Sequence, residues 1–265
     1  IKRGKKNMQK LQTNNMNGFA HIISNMHFNE RMTMTFGLYS KDLPDVWALQ
    51  EVPTGGKKFS CIKHLRNLAL QHGYVMIIPE KMWKMSDHPK SIQNILLVRN
   101  ARNIEVRSLE GIELCNRYNY VRAELEGAEY YIFNIHAPQT EFFLGHTADD
   151  GYVRLRKYLA KQFYEILESE IEKLVVGGKR IILLGDFNKR NDQQEVQELI
   201  HMGLCNVTCG IYFFTCNNPE DSVDHILVSQ NIVDEAGSIK CNVDLNFVKL
   251  QKLSDHATVT SDIAI

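Results

Sequence analysis

Ile181-Ile182-Leu183-Leu184 runs directly into Gly185-Asp186-Phe187-Asn188. Four consecutive aliphatic residues bounded by Gly177-Gly178 and Gly185 are too short for a helix and fit a fully apolar strand. That strand stops on a carboxylate. A carboxylate beside apolar structure costs free energy unless a cation or a hydrogen-bond donor meets it. Taken alone, Asp186 is equally well read as a turn or capping residue.

The pattern recurs along the chain. Ile22-Ile23-Ser24 stops on Asn25, Val46-Trp47-Ala48-Leu49 on Gln50-Glu51, and Ile132-Phe133-Asn134-Ile135 on His136. Asp224-His225 opens the strand Ile226 to Val228, and Ser254-Asp255-His256 precedes the closing strand. Turns alone do not explain so many Asn, Glu, Asp and His clusters at strand ends, and one rim of a sheet could gather them. Carboxylate and amide oxygens are hard ligands, suited to Mg²⁺ or Mn²⁺ rather than zinc. Histidines beside such an ion supply acid–base groups or hydrogen-bond donors. The combination points to metal-assisted hydrolysis of a phosphate ester.

Between these clusters the periodicity predicts strands at 19–25, 45–52, 74–78, 94–99, 118–125, 130–135, 180–184, 211–215, 223–229, 243–248 and 257–263. Helical spacing predicts helices at 57–72, 152–176 and 192–201. Strands outnumber helices, and several follow one another with no helix between. That suits an α/β fold, a four-layer α/β sandwich of two packed mixed β-sheets flanked by helices, better than a doubly wound parallel sheet. Residues 1–17 are polar and basic and read as a flexible arm, with 18–265 as one domain. The opening at Ile1 rather than Met suggests processing, trimming or tagging.

In order, Leu49-Gln50-Glu51-Val52, Asn134-Ile135-His136, Gly185-Asp186-Phe187-Asn188, Val223-Asp224-His225-Ile226 and Ser254-Asp255-His256 resemble the endonuclease/exonuclease/phosphatase superfamily, with its deoxyribonuclease-I-like fold. The resemblance implies that Glu51 is the principal ligand of a Mg²⁺ (or Mn²⁺) ion, with Asn25 beside it and Asp255 as a further acidic residue near the metal. It implies that Asp186 orients or deprotonates the attacking water and that Asn188 holds a phosphate oxygen. His256 resembles the histidine at the scissile phosphate, and Asp224 the carboxylate that fixes its tautomer. His136 stands where hydrolytic nucleases and sphingomyelinases place a second histidine, a candidate acid for the leaving oxygen. Deoxyribonuclease-like members support that histidine with an acidic residue, whereas Gln93 and Asn94 stand here. Lys189-Arg190 is placed to contact a flanking phosphate, though an exposed helix-leading pair explains it as well.

Composition narrows the choice of substrate only a little. Thirty-one basic and 31 acidic residues give a formal charge of zero, so the basic surplus typical of nucleic-acid binders is missing, although charge could be segregated by face. Six cysteines without paired zinc spacing read as free thiols, which suits the cytoplasm. No apolar run approaches the ~20 residues of a membrane span. Trp47 reads as core; Trp83, His88 and His146 fall in polar loops. The resemblance favours a monomeric nuclease acting on DNA, or on RNA. A phosphoesterase acting on a lipid or small molecule is the alternative, and a degenerate binding module the third reading.

Overall fold

β-Branched and aromatic residues concentrate in short runs, and those runs pair into two sheets. The computed structural model describes residues 8–16, 28–55, 62–79, 92–111, 117–140, 151–208, 222–246, 254 and 256–264. The strands are β1 (Met8–Asn15), β2 (Val46–Gly55), β3 (Tyr74–Ile77), β4 (Ile92–Arg99), β5 (Arg102–Arg107) and β6 (Tyr118–Leu125). They continue as β7 (Ala128–His136), β8 (Arg180–Asp186), β9 (Leu204–Asn206), β10 (Asp224–Ser229), β11 (Ser238–Asp244) and β12 (Thr258–Ala264). The helices are α1 (Phe28–Tyr39), α2 (Ile62–Gln71), α3 (Gly151–Val176), α4 (Gln194–His201) and α5 (Gln230–Glu235).

One six-stranded sheet has the order β11-β12-β1-β2-β4-β3, and the other β5-β6-β7-β8-β10-β9. Each contains one parallel pair at its centre, β1 with β2 and β7 with β8, and antiparallel pairs on both sides. β1 packs across β8 and β10, and β2 across β7 and β8. The layer between the sheets is aliphatic, with Leu11, Val46, Leu96, Ile132, Leu184 and Ile226 all buried. Each such side chain contributes about 1.5–3 kcal/mol by leaving water.

The outer faces are covered by helices. Met32, Phe36 and Tyr39 of α1, at i, i+4 and i+7, meet Leu65 and Leu68 of α2 around Trp47. Trp47 is fully buried, as its apolar strand predicts, and its Nε1 donates to Asn14 Oδ1 at 2.8 Å. On the other sheet, Phe163, Leu167 and Ile171 of α3 pack over Phe133, Ile181 and Leu183. The expected four-layer sandwich is therefore present.

The N-terminal expectation fails in one respect. Residues 8–15 do not belong to a flexible arm: they form β1, a central strand paired to β12 and β2. Its buried positions include Gln9, Gln12, Thr13, Asn14 and Asn15, each hydrogen-bonded to another side chain, so the strand lacks the apolar run that would mark it. The strands expected at 19–25 and 211–215, and Trp83, His88 and His146, lie outside the described residues. Of the strand expected at 243–248, only Val243 and Asp244 are strand among the described residues, as the end of β11, whose half-buried apolar positions Ile239, Cys241 and Val243 alternate; the chain leaves the sheet at Leu245.

Between α3 and α4, Glu168 faces Glu198, Glu195 and Glu165, and burial together with these charges pushes its carboxyl up to about 7. A raised folded-state value means the stabilising contribution is full below the ordinary glutamate range and disappears as pH rises through about 7. Glu168→Gln is therefore expected to raise the thermal midpoint more at pH 8 than at pH 5. The side chain is half exposed, so solvent screening limits the gain to about 1 kcal/mol, or roughly 2 °C. Calorimetry at the two pH values measures it.

Candidate active site

The two parallel pairs end on the same rim. Asn15, the last residue of β1, is the register partner of Gln50 midway along β2, and His136 and Asp186 are partners at the ends of β7 and β8. Antiparallel neighbours begin where these strands stop. Asp224, the first residue of β10, pairs with Asp186, and His256 lies two residues before β12. Alternating strand direction at the sheet centres thus brings together residues from positions 15 to 256.

Local backbone features aim the side chains. Gly185 has φ +140°, and a Cβ there would fall inside the carbonyl of Ile135, so only glycine lets β8 lie this close to β7. The register of β2 slips between Leu49 and Val52, a bulge in which Glu51 adopts φ +53°. A bulge redirects the side chain that follows it. Gln50 points into the molecule, donating to Asn134 Oδ1 at 2.7 Å. Asn134 Nδ2 in turn reaches Ile95 O at 3.0 Å and Asn119 Oδ1 at 2.9 Å, tying both sheets beneath the rim. Asn188 takes φ +49°, a conformation asparagine tolerates better than most residues.

Asp186 is the centre of the cluster. Its Oδ2 accepts from Asn15 Nδ2 at 2.8 Å, and its Oδ1 from the backbone N–H of Asn188 at 2.8 Å. Asn188 Nδ2 donates to Ala137 O at 2.8 Å. Burial, and then the negative charge of Asp224, push the Asp186 carboxyl up to about 7. On one side, Asp224 Oδ2 lies 2.7 Å from His256 Nδ1. Ligand atoms of Asp186, Asp224 and His256 fall within 4.8 Å of one another, all buried. On the other side, His136 Nε2 lies 3.4 Å from Glu51 Oε1 and 3.8 Å from Asp186 Oδ2.

Arg117 is the residue sequence reasoning missed. One of its guanidinium nitrogens lies 3.0 and 3.1 Å from the two ring nitrogens of His136. Asn94 Nδ2 holds the Arg117 carbonyl at 3.0 Å. Burial pushes the His136 imidazolium well below its ordinary range, and Arg117 pushes it further. Burial likewise lowers Arg117 to about 10, which leaves it charged at neutral pH. His136 is therefore held between the Arg117 guanidinium and the Glu51 carboxylate. No local pattern marks Arg117, because a lone arginine ahead of a strand has many structural uses.

Asn25 and Asp255 lie outside the described residues, and Asn15 occupies the place beside Asp186. A clue to Asn15 was its position at the end of a run that pairs with β2. Lys189 is buried, with its Nζ 2.6 Å from Glu195 Oε1, and Arg190 Nε lies 3.3 Å from Asp192 Oδ1, so both face α4 and its approach. His225 is structural, as expected. Its Nε2 lies 2.9 Å from Lys189 O, its ring meets Phe187 edge-on, and burial lowers it to about 4. The helix α3 also braces the rim, because the buried Tyr164 hydroxyl donates to Phe187 O.

No protein-family model matches the chain, and no curated protein matches it by sequence. Solved structures do. A 3'-5' exonuclease from Neisseria meningitidis superposes with a TM-score of 0.67 at 18% identity, covering 97% of this chain and 100% of that one. An AP endonuclease from Archaeoglobus fulgidus gives 0.66 at 15% identity, with 97% and 100% covered. Truncated TDP2 from Caenorhabditis elegans gives 0.64 at 14% identity, with 97% and 98% covered. These likenesses cover nearly the whole chain. The chain has the fold of these solved structures, a deoxyribonuclease-I-like α/β sandwich of two six-stranded sheets.

Proposed function

We propose that the chain is a magnesium-dependent phosphodiesterase that hydrolyses DNA, acting as a monomer in the cytoplasm. One observation carries the reading: a buried, doubly hydrogen-bonded Asp186 stands between an Asp224–His256 pair and a Glu51–His136–Arg117 group. Neighbours described as a 3'-5' exonuclease and an AP endonuclease support the substrate class. Free Cys205 and Cys241 accord with the compartment.

The described residues fit a hard divalent ion. Asp186 and Asp224 are buried register partners, and two such carboxylates are stable together as anions only beside a cation. Glu51 would hold Mg²⁺ (or Mn²⁺) with Asn15, and Asp255 adds a carboxylate next to His256 in the chain. Bound there, the ion neutralises charge on a phosphate oxygen.

The chain's own groups do the rest. Asp186 accepts a proton from water and aligns it for in-line attack, a task suited to a carboxyl lifted toward neutral pH. Asp224 fixes the His256 tautomer by accepting a hydrogen bond from Nδ1–H, which leaves Nε2 for the phosphate. Asn188 offers an amide to a non-bridging oxygen once it leaves Ala137. Arg117 supplies a fixed positive charge on the His136 side, where the leaving oxygen develops its charge. In the resting site His136 is neutral, so its service as the acid requires a proton gained with substrate.

The test is a substrate panel in Mg²⁺: supercoiled plasmid, single-stranded DNA, single-stranded RNA, and sphingomyelin or phosphoinositide vesicles. Cleavage of DNA that stops on chelation and returns with Mg²⁺ or Mn²⁺ is expected. Turnover of lipid alone would overturn the nuclease reading, and metal binding without turnover of any substrate would leave a binding module.

A further inference from the structure

The two halves of α3 have opposite charge. Residues 151–164 contain Arg154, Arg156, Lys157 and Lys161 and no carboxylate, whereas 165–176 contain Glu165, Glu168, Glu170 and Glu172 against Lys173 alone. A helix dipole favours the opposite order, acids first and bases last. Helix stability therefore does not explain the arrangement, and neither does burial. Leu155 is 54% exposed, Tyr158 57% and Tyr152 41%. Arg154, Tyr158 and Lys161 recur at i, i+4 and i+7 and share one face, with Lys157 beside it. The guanidinium of Arg156 lies 5.8 Å from the centroid of the Tyr152 ring.

This half of the helix borders the candidate site. The charge of Arg156 acts on both Arg117 and His136. A groove of about 670 Å³ between α3 and α4 has Lys157, Lys161 and Lys189 on its wall, and Lys189 directly follows Asn188. The groove is otherwise acidic, with Glu165 and Glu168 on α3 itself, Glu165 lying 3.7 Å from Lys161, and Glu195 and Glu198 on α4, and would repel a phosphate backbone. That confines an anionic chain to the outer face of the first half of α3.

We propose that residues 154–161 of α3 form a track for a single-stranded nucleic-acid substrate, with phosphates on Arg154, Lys157 and Lys161 and a base stacked on Tyr158. The proposal rests on the phosphodiesterase reading above and narrows its substrate. An exposed aromatic ring set between cations offers stacking that only an unpaired base can use, because a duplex keeps its base faces covered. A lipid surface would call for a continuous apolar face, and here Leu155 is the one aliphatic member of the exposed set.

The experiment uses the full chain carrying Asp186→Asn, in Mg²⁺, so that binding is read without cleavage. Fluorescence anisotropy follows a labelled oligothymidylate of fifteen or so nucleotides and a duplex of equal length, and co-sedimentation follows phosphatidylserine vesicles. Tyr158→Ala is expected to weaken the single strand about 5- to 100-fold, and Tyr158→Phe to retain it. Neutralising Arg154, Lys157 and Lys161 to Gln together should reduce the slope of log affinity against log salt by about 2. Unchanged affinity and slope would overturn the proposal, as would equal losses on duplex and single strand, or losses confined to vesicles. The sites are exposed, so thermal midpoints should hold, and the Tyr158→Phe comparison separates stacking from misfolding. Because binding is read directly, the result stands even if the unmodified chain cleaves none of the nucleic acids.

Discussion

Asp186→Asn is expected to lower phosphodiester hydrolysis at least ~10³-fold while leaving the protein folded. The carboxyl is buried, faces Asp224, and is the shared element of both halves of the site. An amide in its place keeps one oxygen for the Asn188 N–H but has no basic oxygen to take a proton from water. The stability effect should run the other way. Burial and Asp224 raise the Asp186 carboxyl to about 7, so its contribution is favourable below the ordinary aspartate range and is lost as pH rises through about 7. In chelator at pH 8 the parent chain carries that penalty and the variant does not. Urea unfolding should show Asp186→Asn as stable as the parent or better, by up to about 2 kcal/mol, with the difference gone at pH 4. A variant that unfolds with its activity would place Asp186 among structural residues.

Gly185→Ala, one residue away, should do the reverse. At φ +140° no L side chain is comfortable, and the added Cβ would meet the Ile135 carbonyl oxygen as well as its carbonyl carbon and nitrogen at 2.9 Å. These are backbone atoms of β7, held in the ladder that pairs Ile135 with Gly185. No side chain can swing aside, so the two central strands must separate. A loss of more than about 3 kcal/mol is expected, read as a lower urea midpoint with unchanged slope or as failure to accumulate soluble chain. The methyl group would also shift His136 and Asp186, which close the same ladder.

The sequence made the second half of the site legible because there the functional residues end apolar runs. Ile181 to Leu184, Ile226 to Val228 and Ile132 to Ile135 announce their strands, and Asp186, Asp224 and His136 are the next polar residues. The first half was obscure for the same physical reason. β1 buries amides and hydroxyls that bond to one another and to distant strands, so its interior positions look like a solvated arm until the partners are known. Arg117 and α1 lay beyond reach for a related cause. Their burial depends on residues distant in the chain, such as His136 for the one and Trp47 for the other. Neutral composition likewise hid the split charge of α3, because a whole-chain total cancels what one helix separates.

The pairing of Met8 with Ala264 has a consequence for the making of the protein. Of the described strands β1 is made first, yet its ladder with β12 cannot close until the strands between them have been added. Contacts of such separation form slowly, since the intervening chain must be ordered first. Asn15 and His256 belong to that late event, one at the end of β1 and the other just ahead of β12. The centre is thus incomplete on any fragment that stops short of β12.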